Sequence, residues 1–221
     1  MTAVSNTATS SALPRLDSFI AGKAHPTQGS VSVLTSPVDL QPCAELVECP
    51  AGVVNEAVRN AHAAYLQHRR SSLAQRSQWL SAAAAVVEAA VPQITAMLIR
   101  DIGKPRKAAS FEVNRSAAFL HACAAQVLNL SGETVPVDAV PGGAGRMGFT
   151  RHIPFGVVAA VTPFNAPINL LVQKVGPELA AGNAVVVKPH PAATRVALQV
   201  AQLFIQAGLR SEEHTSELQS H

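Results

Sequence analysis

Two short runs of small and β-branched residues, GVVAAVT (156–162) and AVVVK (184–188), stand one helix-length apart. Each is unbroken and lacks alternation, the pattern of a strand covered on both faces of a parallel sheet. Between them PFNAPIN reads as a loop and LLVQKVGPELAAG as a helix closed by Gly182. Thr194 to Ala207 reads as a second helix, with Gly208 at its C-terminal end. The order β-α-β-α predicts an α/β fold whose parallel pair is joined by a right-handed crossover. Two such strands need further neighbours to be buried, so residues 155–209 read as the start of an unfinished sheet.

The second run ends abruptly, in KPHPAAT. Lys188 interrupts the apolar residues, and Pro189 and Pro191 forbid the strand from continuing. One reading is a strand that surfaces and shows a snorkelling lysine to water. The other is a cation at the carboxyl end of a parallel strand, where open α/β sheets bind ligands. The first run ends in a similar way. Asn165 sits between Pro163 and Pro167, which fix their own φ and restrict their predecessors. An amide in so stiff a frame can donate to a developing oxyanion, or it can be a turn residue bonding its own backbone.

Upstream the texture is mainly helical. Residues 16–22 and 30–34 look like short strands around a turn, and Gly52 and Asn55 can open a helix. Its apolar stripe is Val54, Ala57, Val58, Ala61 and Ala64. Further helices are expected over about 73–90, from Pro92 to Gly103, and from Lys107 to Leu130. Residues 133–151 alternate around PGGAG and predict a β-hairpin. The expected organisation is a flexible tail (1–15), a mainly helical part (16–132), a hairpin (133–154) and the sheet (155–209). The last twelve residues (210–221) have Leu218 as their sole apolar side chain and resemble a translated sequencing adapter, so they are expected to be non-native.

Composition narrows the function classes. Apolar residues make up 48% of the 221 and charged ones 14%, enough for a substantial core. A net charge of +3 with no basic run, and nine aromatics in all, do not indicate a nucleic-acid surface. The start lacks an apolar core for a signal peptide, and SAAAAVVEAAV is too short and interrupted to span a bilayer. Cys43, Cys49 and Cys123 form no CxxC pair, consistent with reduced thiols and a cytoplasmic location. His62 and His68 are badly spaced for chelation on one helix face, and no metal site is readable.

The segment PFGVVAAVTPFNAPINLLVQKVGPELAAGNAVVVKPHP resembles the nucleotide-binding segment of the aldehyde dehydrogenase superfamily. FIAGK, IRDIGKP, the EV of FEVNRS and GETVPVD agree in order, and the likeness covers most of 16–209. PGGAGRMGFTRHIPFGVV with TPFNAPINL is similar to members acting on lactaldehyde, phosphonoacetaldehyde or, without phosphorylation, glyceraldehyde 3-phosphate. The resemblance implies an incomplete aldehyde dehydrogenase fold: helical region, hairpin, then the first β-α-β-α of a Rossmann-like sheet. It implies NAD or NADP as cofactor, a small aldehyde as substrate and a homo-oligomer built through the 133–154 hairpin.

By the same resemblance Asn165 donates to the thiohemiacetal oxygen, and Thr162, Pro163 and Phe164 line the cofactor groove. Lys188 bonds the ribose hydroxyls, and His190 and Pro191 stand beside it. Pro191 occupies a place where many relatives carry glutamate, which makes a 2′-phosphate tolerable. Arg195, a turn further on, is open to two readings: a partner for that phosphate, or a solvated helix face. His190 is likewise a cofactor contact or a plain loop residue. The family's nucleophilic cysteine and its glutamate base have no match here. Cys123 reads as a small buried hydrophobe, and Glu133 and Glu178 are not the base. Arg100, Arg106, Arg115 and Arg151 are undistinguished candidates for an anionic substrate. The expected function is oxidation of a small aldehyde by a longer protein, with this chain inactive alone. The alternative is a stand-alone nucleotide-binding or oligomerisation module.

Overall fold

The structure is a computed structural model that describes residues 12–209 and 216–218. Its elements run β1 (Arg15–Leu16), β2 (Ser18–Ile20), β3 (Lys23–His25), β4 (Val31–Thr35), β5 (Pro42–Val47), α1 (Ala51–His68), α2 (Leu73–Ala89), α3 (Val91–Ile102) and α4 (Arg106–Gln126). After these come β6 (Thr134–Val135), β7 (Gly148–Phe149), β8 (Val157–Val161), α5 (Pro167–Ala181), β9 (Ala184–Lys188), α6 (Thr194–Gln206) and β10 (Ser216–Leu218).

The β-α-β-α order is as expected, and β8 pairs with β9 in parallel. The larger sheet runs β3-β2-β10-β9-β8. The parallel pair gains neighbours: Ser216–Leu218, inside the segment expected to be non-native, pairs in parallel with β9 and antiparallel with β2. The rest of that segment, and residues 1–11 of the expected tail, lie outside the described residues. And β8 is not covered on both faces. Among the described residues β9 is its one partner strand, and on the face where α1 covers Ala184 and Val186 its Ala159 and Val161 are exposed.

The upstream strands also pair differently from expectation. Residues 18–20 and 23–25 make their own hairpin (β2–β3), whereas 31–35 pairs with β5, a strand the sequence reading passed over. The helices fall close to their expected bounds. Gly103 ends α3 at φ 68° and Gly182 ends α5 at φ 92°, left-handed positions that glycine adopts without a Cβ penalty. The expected hairpin survives as one short antiparallel pair, Thr134 with Phe149 and Val135 with Gly148.

One apolar cluster joins α2, α3, α4, α5 and α6 to the inner face of β9 through Leu80, Leu98, Leu120, Val172, Val187 and Phe204. Within it α2 and α3 meet at 66°, and among the described residues no single helix is long and apolar enough to cross a membrane. Helix α1 covers the other face, where Ala61 packs on Ala184 and Val186.

The C-terminal end of α5 is held from three sides. The His68 Nε2–H donates to the Leu179 carbonyl at 3.1 Å, and the buried Arg76 guanidinium donates to the Ala180 carbonyl at 3.2 Å. Both satisfy carbonyls that a helix end leaves unbonded, and Arg76 adds a cation where the dipole favours one. Asn183 then accepts from the Gly156 N–H at 2.9 Å and donates to Glu178 at 2.6 Å, joining the start of β8 to the end of α5. This gives Glu178 a structural partner.

Burial lowers the pKa of His68 from 6.5 to about 4. The folded state therefore resists protonation that the unfolded chain accepts. Stability is fully present above about pH 6.5 and is lost as pH falls towards 4, by about 3 kcal/mol at the limit. The thermal midpoint should be flat above that range and decline below it, with a shallower decline in His68→Gln. Identical acid slopes in the two proteins would count against this assignment.

Candidate functional site

Strands β8 and β9 run in register, with Val161 opposite Lys188, so their carboxyl ends lie side by side. One further bond extends the ladder, from the Thr162 N–H to the Lys188 carbonyl at 3.0 Å. Thr162 is buried at the base of its loop, and Lys188 is exposed at the end of its strand. Pro163, Phe164 and Asn165 follow Thr162 on the surface, and His190 and Pro191 follow Lys188. The Phe164 and His190 rings meet with centroids 5.0 Å apart, tilted by 42°, and tie the two loops together. The seven residues expected to form the site thus lie along two adjacent loops at one end of the sheet.

The polar groups there are donors. The Lys188 ammonium and the Asn165 amide have no side-chain partner among the described residues. His190 Nδ1 accepts from the Ala192 N–H at 3.3 Å, which leaves the proton of the neutral ring on Nε2. An ammonium, an amide and an imidazole N–H at the carboxyl ends of parallel strands fit a ligand rich in hydroxyl and phosphate oxygens. A separate cavity of about 580 Å³ lies between β1–β2, α3 and α6, and none of these residues lines it.

Sequence reasoning missed what holds the Asn165 loop. Helix α5 begins with Ala166 at its N-cap, a residue with no capping group. The cap comes from α4 instead. Glu112 Oε1 accepts from the Ile168 N–H at 2.8 Å and the Asn169 N–H at 3.1 Å. The other oxygen pairs with the Lys104 ammonium, which also donates to the Asn165 carbonyl at 2.9 Å. Glu112 is 4% exposed. A cap contributes about 0.5–2 kcal/mol, but a buried carboxylate stripped of its cation costs about 3–5 kcal/mol. The ion pair therefore decides whether the cap exists. The available signal was the helix start itself: an alanine followed by Pro167 must find its acceptor elsewhere in the chain.

The other candidates have places of their own. Arg195 is paired rather than free. It makes a two-pronged pair with Asp101 of α3, at 2.9 Å from Nε to Oδ2 and through a second bond from Nη2 to Oδ1. Glu133 belongs to the short hairpin, where its N–H donates to Thr150. His62 is exposed beside Tyr65 while His68 is buried against Trp79, so the two do not converge. Among the described residues no three histidine, cysteine or acidic side chains cluster as metal ligands. Arg100, Arg106, Arg115 and Arg151 are exposed, and Arg115 lies one turn after Glu112 on α4.

The three cysteines are free and buried. Burial raises the Cys43 thiol above its ordinary pKa and lifts Cys123 to about 11, the opposite of what a nucleophile needs.

A model of the aldehyde dehydrogenase family matches residues 25–212. The chain is 41% identical over 169 residues to 3-sulfolactaldehyde dehydrogenase of Priestia aryabhattai, covering 76% of this chain and 35% of that protein. It is 32% identical over 185 residues to the NADP-dependent glyceraldehyde-3-phosphate dehydrogenase of Pisum sativum, covering 82% and 37%. The crystal structure of the enzyme of that name from Bacillus halodurans C-125, complexed with NADP, superposes with a TM-score of 0.87. Identity there is 25%, over 93% of this chain and 43% of the other. The chain thus spans little more than a third of the length of these curated relatives.

In the folded chain all three thiols should react slowly with an aromatic disulfide reagent at neutral pH and rapidly after denaturation. Thiol counting by absorbance checks this. One fast, stoichiometric reaction in the native state would put a cysteine at the surface.

Proposed function

The chain belongs to the aldehyde dehydrogenase family, and from that premise we propose that it supplies the cofactor rim and the oxyanion donor of an enzyme oxidising a small aldehyde. The observation carrying this reading is the register of β8 and β9, which sets Val161 against Lys188, bonds the Thr162 N–H to the Lys188 carbonyl and leaves both loops on one edge. NAD or NADP, when bound, accepts the hydride. Lys188 holds its ribose hydroxyls, with His190 Nε2–H as a neighbouring donor, and Thr162, Pro163 and Phe164 form the groove wall. Pro191 puts no carboxylate beside the ribose to repel a 2′-phosphate, so NADP is accepted. The solved relative was itself complexed with NADP.

Attack of a thiolate on the aldehyde carbon moves charge onto the carbonyl oxygen. The Asn165 amide, fixed between two prolines, donates to that oxygen as a thiohemiacetal forms. On this reading the thiolate is none of Cys43, Cys49 and Cys123, whose burial argues against a nucleophilic role. The 221-residue chain therefore turns over no aldehyde by itself, and the nucleophile and base come from the rest of a longer enzyme.

The relatives named above act on aldehydes that carry a sulfonate or a phosphate. We extend this to the present protein: its substrate is a short aldehyde with an anionic group. We assign its recognition to Arg115, which is exposed one turn beyond the glutamate that caps α5. The exposed Phe149, Ile153 and Phe155 around the hairpin provide the apolar surface for homo-oligomer contacts.

In the complete enzyme Asn165→Ala should lower kcat by roughly 10²–10³-fold with little change in cofactor affinity. Lys188→Ala should mainly raise the KM for the cofactor. Steady-state kinetics on short anionic aldehydes with NAD and NADP test both. An unchanged kcat removes Asn165 from the reaction, and an unchanged cofactor KM removes Lys188 from the groove.

A further inference from the structure

We propose that Lys104 and Glu112 are positioning residues for the Asn165 amide, so that the oxyanion donor is set from the α3–α4 junction rather than by its own loop. The inference rests on the reading of Asn165 given above.

The geometry is that of a two-point clamp. Asn165 is exposed and its side chain has no partner among the described residues, so nothing on the loop surface orients it. Its backbone is fixed instead. The Lys104 ammonium reaches the Asn165 carbonyl at 2.9 Å, and Glu112 grips the next turn by the N–H groups of Ile168 and Asn169. One carboxylate thus binds the two free N–H groups that follow Pro167, a residue with none of its own. Lys104 is 16% exposed and Glu112 is 4% exposed, so water screens their pairing little.

Three features of the α3–α4 junction have to coincide for this. Gly103 turns the chain at φ 68° and aims Lys104 back across the end of α3. Pro105 starts α4 one residue later, and Glu112 follows two turns along that helix. The clamp therefore holds the backbone on both sides of the Asn165–Ala166–Pro167 corner. A donor whose backbone is fixed is already oriented when charge develops, and small misplacements of such groups are costly in rate.

The test uses the complete enzyme and four variants: Lys104→Met, Lys104→Arg, Glu112→Gln and Asn165→Ala, with the Lys104→Met/Asn165→Ala double variant. Lys104→Met and Glu112→Gln should lower kcat by roughly 10- to 100-fold, with the cofactor KM changed by no more than about twofold. Lys104→Arg, which keeps the cation, should recover most of the loss. In the Asn165→Ala background Lys104→Met should add less than about twofold, because the group it positions is gone. A full, independent loss on top of Asn165→Ala overturns the proposal, as does a cofactor KM that rises in step with falling kcat.

A second readout does not depend on catalysis. Backbone hydrogen exchange over residues 165–169 should quicken by about tenfold or more in Lys104→Met and Glu112→Gln, and unchanged exchange also overturns the clamp. Should Asn165→Ala itself leave kcat intact while exchange quickens, the oxyanion reading fails and the catalytic part of this proposal falls with it. The kinetic and exchange results thus separate the two failures.

Discussion

Parallel pairing of β8 with β9 is the constraint on which the rest depends. Strands in one direction end at one edge, and here the ladder closes on Val161, Thr162 and Lys188. A chain that leaves both strands at the same height must turn away twice in the same neighbourhood. Prolines make both turns. The lysine that looked out of place after four apolar residues is the last residue of a buried strand, displayed at the edge where its partner's loop begins.

Helix α5 carries that arrangement between the strands, and it is secured at each end by residues far away in the chain. Glu112 and Lys104 hold the beginning, and His68 and Arg76 hold the finish. The helix has few terminal groups of its own to offer: an alanine at its N-cap and a glycine past its last turn. Its ends are defined by tertiary contacts, in which buried ionic and imidazole groups satisfy backbone atoms that would otherwise be desolvated without partners.

The β-α-β-α order, the helix bounds and the two loops were legible because unbroken apolar runs, glycine stops and prolines are local signals. What escaped was non-local. The β5 strand, PCAELV, is short and mixed, and gains its identity from pairing with β4 and β1. The exposure of β8 reflects how little of its face α1 covers, which no property of GVVAAVT records. Arg195 looked like a phosphate partner or a free surface charge until Asp101, 94 residues earlier, took it. Glu112 and Lys104 were visible as family landmarks, but their joint hold on the Asn165 loop depends on folding α4 beneath α5.

The Asn183 side chain joins three elements at the end of the unit opposite the loops, accepting from Gly156 and donating to Glu178. With it the two strands and their connecting helix form a closed loop of constraints, pinned at top and bottom. Such a frame tilts or shifts as one piece and has no internal pivot. Losing the Asn183 amide would strand the Gly156 N–H and the Glu178 carboxylate at the bottom, while the backbone ladder, from the Ala184 N–H on the Gly156 carbonyl up to the Thr162 N–H on Lys188, still keeps the strands in step.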